Sequence, residues 1–251
     1  QPVDTYKTQR RGGRGISGMA RREEDFVEEL FICSTHDYIM FFSNRGRVYR
    51  LKGYEIAESS RASKGINMIN LLPLEKDEKI TSMIRMSEFE EDSFLVMVTK
   101  QGVIKRTETS SYRNVRKGGL IAINLDEGDE LAWVRQTDGQ SQLIVATKNG
   151  MAIRFEEQDA RALGRTARGV KAITLEEGDE VVGMAVVNEG EYLLTVSENG
   201  QGRKTFPDEY RIQSRGGKGI RNYYTDKNGP VAGVLMVNDE DDSFVISEDG
   251  V

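Results

Sequence analysis

One cysteine, Cys33, occurs in 251 residues, which rules out a disulfide within the chain and a cysteine-ligated metal site. Cys33 lies in the apolar run LFICST and reads as a small buried hydrophobe. One histidine, His36, leaves no imidazole cluster for a metal and no recognisable Ser-His-Asp arrangement. His36 reads as a strand or turn residue. No apolar run approaches the ~20 residues that a membrane helix needs. The opening QPVDTYKTQRRGGRG has no apolar core of a signal peptide. Prolines number four, and no long amphipathic helical pattern stands out. The net charge of −6 argues against a polyanionic partner if the charge is evenly spread.

It is not evenly spread, and the reason is a repeat. A turn followed by an apolar, basic-ended run recurs as NRGRVYR (44–50), KQGVIKR (100–106), KNGMAIR (148–154), ENGQGRK (198–204) and EDGV (248–251). Its glycines, Gly46, Gly102, Gly150, Gly200 and Gly250, are 56, 48, 50 and 50 residues apart. A basic, glycine-containing loop follows in the same phase: RRGGRGI (10–16), RASKGI (61–66), VRKGGL (115–120), RTARGV (165–170) and SRGGKGI (214–220). Acidic loops EKDEKI (75–80), DEGDEL (126–131) and EEGDEV (176–181) form a third marker. Each unit reads as two apolar runs around a two-residue turn, and Asn149-Gly150, Asn199-Gly200 and Asp249-Gly250 favour the positive-φ turns of β-hairpins. Four-stranded antiparallel units repeating about every 50 residues indicate an all-β, propeller-like array. The chain reads as one domain, 1–251, with four whole units and a partial blade at each end, and as a fragment of a larger subunit.

The positive charge falls on the stretches running from hairpin ends into the basic loops. Residues 1–22, 45–64, 105–117, 154–171 and 203–221 each carry a net charge of +2 to +5, within a chain that is negative overall. A belt of this kind suits a phosphate backbone. The candidate DNA contacts are Arg45, Arg47, Arg50, Arg61, Lys64, Lys105, Arg106, Arg113, Arg116, Lys117, Arg165, Arg168, Arg203, Lys204, Arg215 and Lys218. Glycine lets the backbone approach phosphate closely, successive N–H groups can form an anion nest, and arginine adds a bidentate fork. Nothing in the pattern suggests base reading, since phosphate contacts position DNA without specifying sequence.

Gln9-Arg10-Arg11-Gly12-Gly13-Arg14-Gly15 resembles the signature heptapeptide of the C-terminal domain of the DNA gyrase A subunit. The following SGMARREEDFVEELFICSTHDYIMFFSNRGRVYRLKGYEI is similar to that family too. The resemblance implies a six-bladed β-pinwheel whose blades exchange strands with their neighbours. It implies that double-stranded DNA wraps chirally around the rim, that the heptapeptide lies where the first and last blades meet, and that the wrap supports negative supercoiling. Gln9, Arg10, Arg11, Gly12, Gly13, Arg14 and Gly15 thereby join the DNA-binding set. A second, imperfect copy stands at Gln213-Ser214-Arg215-Gly216-Gly217-Lys218-Gly219. The resemblance further implies a non-catalytic, monomeric domain of an ATP-dependent type IIA topoisomerase. ATP, magnesium and the catalytic tyrosine then belong to other parts of the enzyme. The partners are the ATPase B subunit together with the rest of the A subunit, in a bacterial cytoplasm at the nucleoid.

Two alternatives share the belt: a topoisomerase IV-like domain that binds DNA without strong wrapping, and a propeller scaffold for acidic protein partners. Gly13-x-Gly15-x-x-Gly18 matches a dinucleotide fingerprint by letter, but no apolar strand precedes it. The EEGDE loops lack EF-hand spacing. Trp133, in LAWVRQ, reads as core and not as a base-stacking platform.

Overall fold

A computed structural model describes residues 34–58, 68–87 and 92–239. The heptapeptide 9–15, Arg61, Lys64, Cys33 and the closing EDGV lie outside the described residues.

Among the described residues, fifteen short strands build four antiparallel sheets. The first holds β1 (Tyr38–Ser43), β2 (Arg47–Lys52) and β3 (Ile80–Met86). The second holds β4 (Phe94–Thr99), β5 (Val103–Glu108) and β7 (Leu131–Thr137), and the third β8 (Gln142–Thr147), β9 (Met151–Glu156) and β11 (Val181–Val186). The fourth is β12 (Tyr192–Ser197), β13 (Gly202–Thr205) and β15 (Val231–Val237). Each of the first three sheets gains a fourth strand from the following unit: β6 (Leu120–Ile121) pairs with β2, β10 (Val170–Lys171) with β5, and β14 (Ile220–Arg221) with β9. The second, third and fourth units thus each hand a strand back to the blade before them. β3, β7, β11 and β15 pack in series at one edge of their sheets, which makes them the innermost strands and β6, β10 and β14 the rim.

The central strands are apolar on both faces because each is sandwiched between blades. Met40 and Phe42 of β1 meet Leu95 and Met97 of β4 in one inter-blade core. Val96 and Val98, on the other face of β4, meet Leu143 and Val145 of β8 in the next. Ile144 and Ala146 meet Leu193 and Val234 in the third. Trp133 packs half-buried against the second of these cores. His36 lies exposed in the turn before β1.

The hairpins differ from the two-residue turns that the sequence predicts. β1 ends at Ser43 and β2 starts at Arg47, so the loop has three residues, with a Gly46 N–H to Ser43 O bond of 3.0 Å. Only the glycine takes positive φ, as at Gly150 (88°), a type I turn closed by a left-handed residue. A serine or threonine at the strand end supports it: the Thr147 hydroxyl accepts from Met151 N–H at 3.1 Å. Glycine is needed here for space as well as φ. A Cβ on Gly150 would lie 2.1 Å from the Tyr223 carbonyl oxygen, because the chain of the next unit crosses over the turn. The Gly150 carbonyl accepts from the N–H groups of Asn222 and Tyr223 at 2.7 and 3.2 Å.

Candidate nucleic-acid interface

The strand hand-back forces each basic loop to travel along the rim. After β9 the chain turns through a short 3-10 segment, Glu157–Asp159, then runs outside β5 into β10. The stretch after β13 runs outside β9 into β14 in the same way, with Gln213 N–H on Arg154 O at 2.8 Å. Each loop enters its rim strand through a left-handed glycine, Gly119, Gly169 or Gly219. A Cβ at Gly219 would lie 2.3 Å from the Ala152 carbonyl oxygen, so only glycine lets the loop lie this close to the blade.

Numbering from that glycine sorts the cations. Four residues before it, Arg165 and Arg215 turn inward: their guanidinium groups donate to the carbonyls of Ile121 (2.5 Å) and Lys171 (3.0 Å) on the preceding rim strand. One residue before it, Arg168 and Lys218 are exposed, as are Lys171 and Arg221 two residues after it. Arg168 donates to Asp126, which raises its pKa further. In the loop at 113–119 the exposed cations are Arg113, Arg116 and Lys117. Successive loops are tied together: Asn124 N–H donates to Ala167 O at 3.2 Å, and Thr174 N–H to Gly217 O at 2.9 Å.

The acidic loops lie at the hairpin turns, one of them reaching the rim where Asp126 meets Arg168. They cap the hairpin turns, where the Asp129 carboxylate accepts from Gln101 N–H and that of Asp179 from Asn149 N–H, each at 3.0 Å. The cations beside the loop glycines and most of the acidic loops thus lie at different ends of the blades, with the Arg168–Asp126 pair where the two meet. Among the described residues, no group of three or more His, Cys, Asp or Glu is placed to hold a metal.

Several predicted contacts are corrected by these positions. Lys105 is 0% exposed, and its ammonium is enclosed by the carbonyls of Ala122, Arg165 and Gly164. Burial, with the Arg165 charge, pulls its pKa down to about 7. Arg106 is buried on the other face of β5, stacked 4.4 Å from the Phe94 ring centroid and donating to Ala160 O at 2.8 Å. Neither can reach a phosphate outside the rim, because the next unit's loop lies over both. Arg47 and Arg50 are half-buried and support the loop from behind, through Gly118 O (2.8 Å) and Arg113 O (2.9 Å). Arg45 sits at the acidic turn end, 2.9 Å from Glu75. Arg203 and Lys204 are exposed on β13, facing Glu209 at 3.7 Å and Asp239 at 2.5 Å. Lys171 and Arg221 are missing from the predicted contacts. Their signal was present: a basic residue two places past the loop glycine, on the outward-facing side of a two-residue strand.

The DNA gyrase C-terminal domain family, described as a β-propeller, matches residues 1–34, 37–85, 93–138, 141–188 and 191–238, one segment per repeat unit. The chain belongs to this family. This gyrase-family domain is 57% identical to the DNA gyrase A subunit of Halalkalibacterium halodurans over 170 residues, 68% of the chain and 20% of that protein. It is 56% identical to its Clostridium acetobutylicum counterpart over 169 residues, 67% of the chain and 20% of that protein. The gyrase-family domain thus matches about a fifth of the length of these relatives. A solved DNA gyrase A C-terminal domain superposes with a TM-score of 0.80 at 29% identity, covering 94% of this chain and 78% of that one. The C-terminal domain of DNA topoisomerase IV gives 0.74 at 26%, covering 86% and 68%.

Proposed function

We propose that this gyrase-family domain binds double-stranded DNA along its rim without reading sequence, and wraps it with a fixed hand. The observation that carries the reading is the pairing of exposed cations about two of the three left-handed loop glycines, Gly169 and Gly219. Arg168 with Lys171 and Lys218 with Arg221 recur one blade apart, and of these four cations only Arg168 is paired with an acidic loop, at Asp126. Cations in series along a curved edge oppose the cost of bending, roughly 1–6 kcal/mol for a 20–30 bp site turned by 40–90°. The domain does no chemistry of its own on this reading. ATP hydrolysis, magnesium and strand cleavage belong to the other parts of the parent enzyme, its ATPase partner included, and the wrap supports negative supercoiling.

The likeness to the topoisomerase IV domain favours a second reading, binding without strong wrapping. One experiment separates the two. Nicked circular DNA is incubated with the domain, sealed with ligase, stripped of protein and resolved into topoisomers. A dose-dependent change in linking number is expected, its sign giving the hand of the wrap. Retarded DNA with unchanged linking number would favour the second reading, and no retardation at moderate salt would end both.

A further inference from the structure

Lys105 stands at a position that recurs three residues after each hairpin glycine, and each blade fills it differently. Tyr49, Lys105, Ile153 and Arg203 are the equivalents. In three blades this residue lies under, or reaches back toward, the rim segment of the next unit. Tyr49 is the ring that a Cβ at Gly119 would strike, at 2.6 Å, and Ile153 lies beneath Gly217. Only in the second blade is the residue a buried amine.

That amine touches two successive rim segments at once. Ala122 immediately follows rim strand β6, while Gly164 and Arg165 belong to the loop that leads into β10. Their three carbonyls match the three N–H groups of an ammonium. Arg165 donates in turn to Ile121 O, so two cations grip one junction from inside and outside. At the next junction Arg215 repeats the outer grip on Lys171 O, but Ile153 supplies no inner one.

We propose that Lys105 is a positioning residue: it clasps the rim segments 120–122 and 163–165 together and so sets the path that DNA follows between two blades. This inference rests on the rim reading above, and it gives Lys105 a role without DNA contact. A neutral amine offers two N–H groups to three carbonyls, so the clasp loosens as the proton leaves. The titratable and charged groups facing it are Arg165, whose charge favours that loss, and Tyr112, whose hydroxyl donates to the same Ala122 carbonyl at 3.1 Å. Burial holds Tyr112 protonated well above the usual tyrosine range.

The test uses the 251-residue chain and its Lys105→Met variant. Two duplexes report separately: one of about 10 bp, a single helical turn, and a long one carrying a fluorophore at each end. Binding of the short duplex by the variant is expected within about twofold of the parent, since no phosphate contact is removed. Energy transfer across the long duplex is expected to fall by about half or more, and the parent's decline in transfer between about pH 6 and about pH 9 to disappear. Parent-like transfer with a parent-like pH profile overturns the proposal. A parent that binds neither duplex defeats the rim reading instead. Should the variant not fold, the parent alone decides through its carbonyl NMR shifts. Ala122, Gly164 and Arg165 are expected to titrate together with a midpoint near pH 7 while Ala172 does not. Independent midpoints, or none, refute the clasp.

Discussion

Replacing Arg168, Lys171, Lys218 and Arg221 together by alanine removes these exposed rim cations along with two exposed contacts, Arg168 to Asp126 and Arg221 to the Asn149 carbonyl at 3.1 Å. All four are exposed and none belongs to an inter-blade core, so the melting temperature is expected to stay within a few degrees of the parent. Binding should change in a characteristic way. Each phosphate neutralised contributes about 0.9 to the slope of log affinity against log salt. Four lost contacts flatten that slope by about 3.6. Between about 50 and about 200 mM salt, the parent's affinity should fall by about 150-fold more than the variant's. Fluorescence anisotropy with one labelled duplex at three or four salt concentrations measures both slopes. Arg45→Ala serves as the internal contrast, because that guanidinium lies at the acidic turn end beside Glu75, and its removal should leave the slope unchanged. A fourfold variant with the parent's slope, or an Arg45 variant that flattens it equally, refutes the division between rim and turn end.

Three further outcomes follow from the same positions. Arg154→Met takes the guanidinium donor from the Tyr210 carbonyl (3.2 Å) and from the Pro207 carbonyl (2.8 Å), the latter keeping only its bond from Tyr210 N–H; a loss of about 1–3 kcal/mol should appear as a lower urea midpoint with an unchanged m-value. Gly150→Ala combines positive φ with a Cβ placed 2.1 Å from the Tyr223 carbonyl oxygen; it should cost more than about 2 kcal/mol and lower the melting temperature by several degrees, whereas a neutral result would mean the crossing chain can move aside. Lys105 has a sign of its own. Its folded pKa is held at about 7 against an ordinary 10.5, so between these values the unfolded chain binds the proton that the folded chain gives up. This group therefore makes stability rise with pH across that window, by up to about 1.4 kcal/mol per pH unit. Urea midpoints of parent and Lys105→Met at about pH 6.5, 8 and 9.5 should diverge in the parent's favour as pH rises, and parallel curves would show that the amine does not titrate there.

The blades were legible because two glycines per unit recur in fixed phase, each at positive φ and most of them with no room for a Cβ. Gly46, Gly102, Gly150 and Gly200 close the hairpins, and Gly119, Gly169 and Gly219 admit the rim strands. The double-sided burial of β1, β4 and β8 showed in the unbroken runs YIMFF, FLVMV and LIVA. The turn length was not legible, since Asn-Gly is compatible with a two-residue loop. What fixes three residues is the next unit's chain lying on the glycine carbonyl, a contact made by residues about 70 positions away in sequence.

The rim was legible as a stretch of chain and only partly as individual residues, and the reason lies in the strand exchange itself. A chain that leaves its own blade to complete the previous one exposes a run of carbonyls that no sheet ladder satisfies. Arginine is well suited to them, because its fork reaches several acceptors while its stem packs on apolar surface. Arg50, Arg106 and Arg154, each four residues past a hairpin glycine, serve the carbonyls of Arg113, Ala160, and Pro207 with Tyr210. The same residue type therefore recurs in one repeat in two settings, an inner set buried against backbone oxygens and an outer, solvent-exposed set beside the loop glycine. Composition and phase count both sets together and overstate the belt. Register separates them in the first three described blades: a cation on the hairpin strand lies beneath the crossing loop, whereas one beside the loop glycine lies above it.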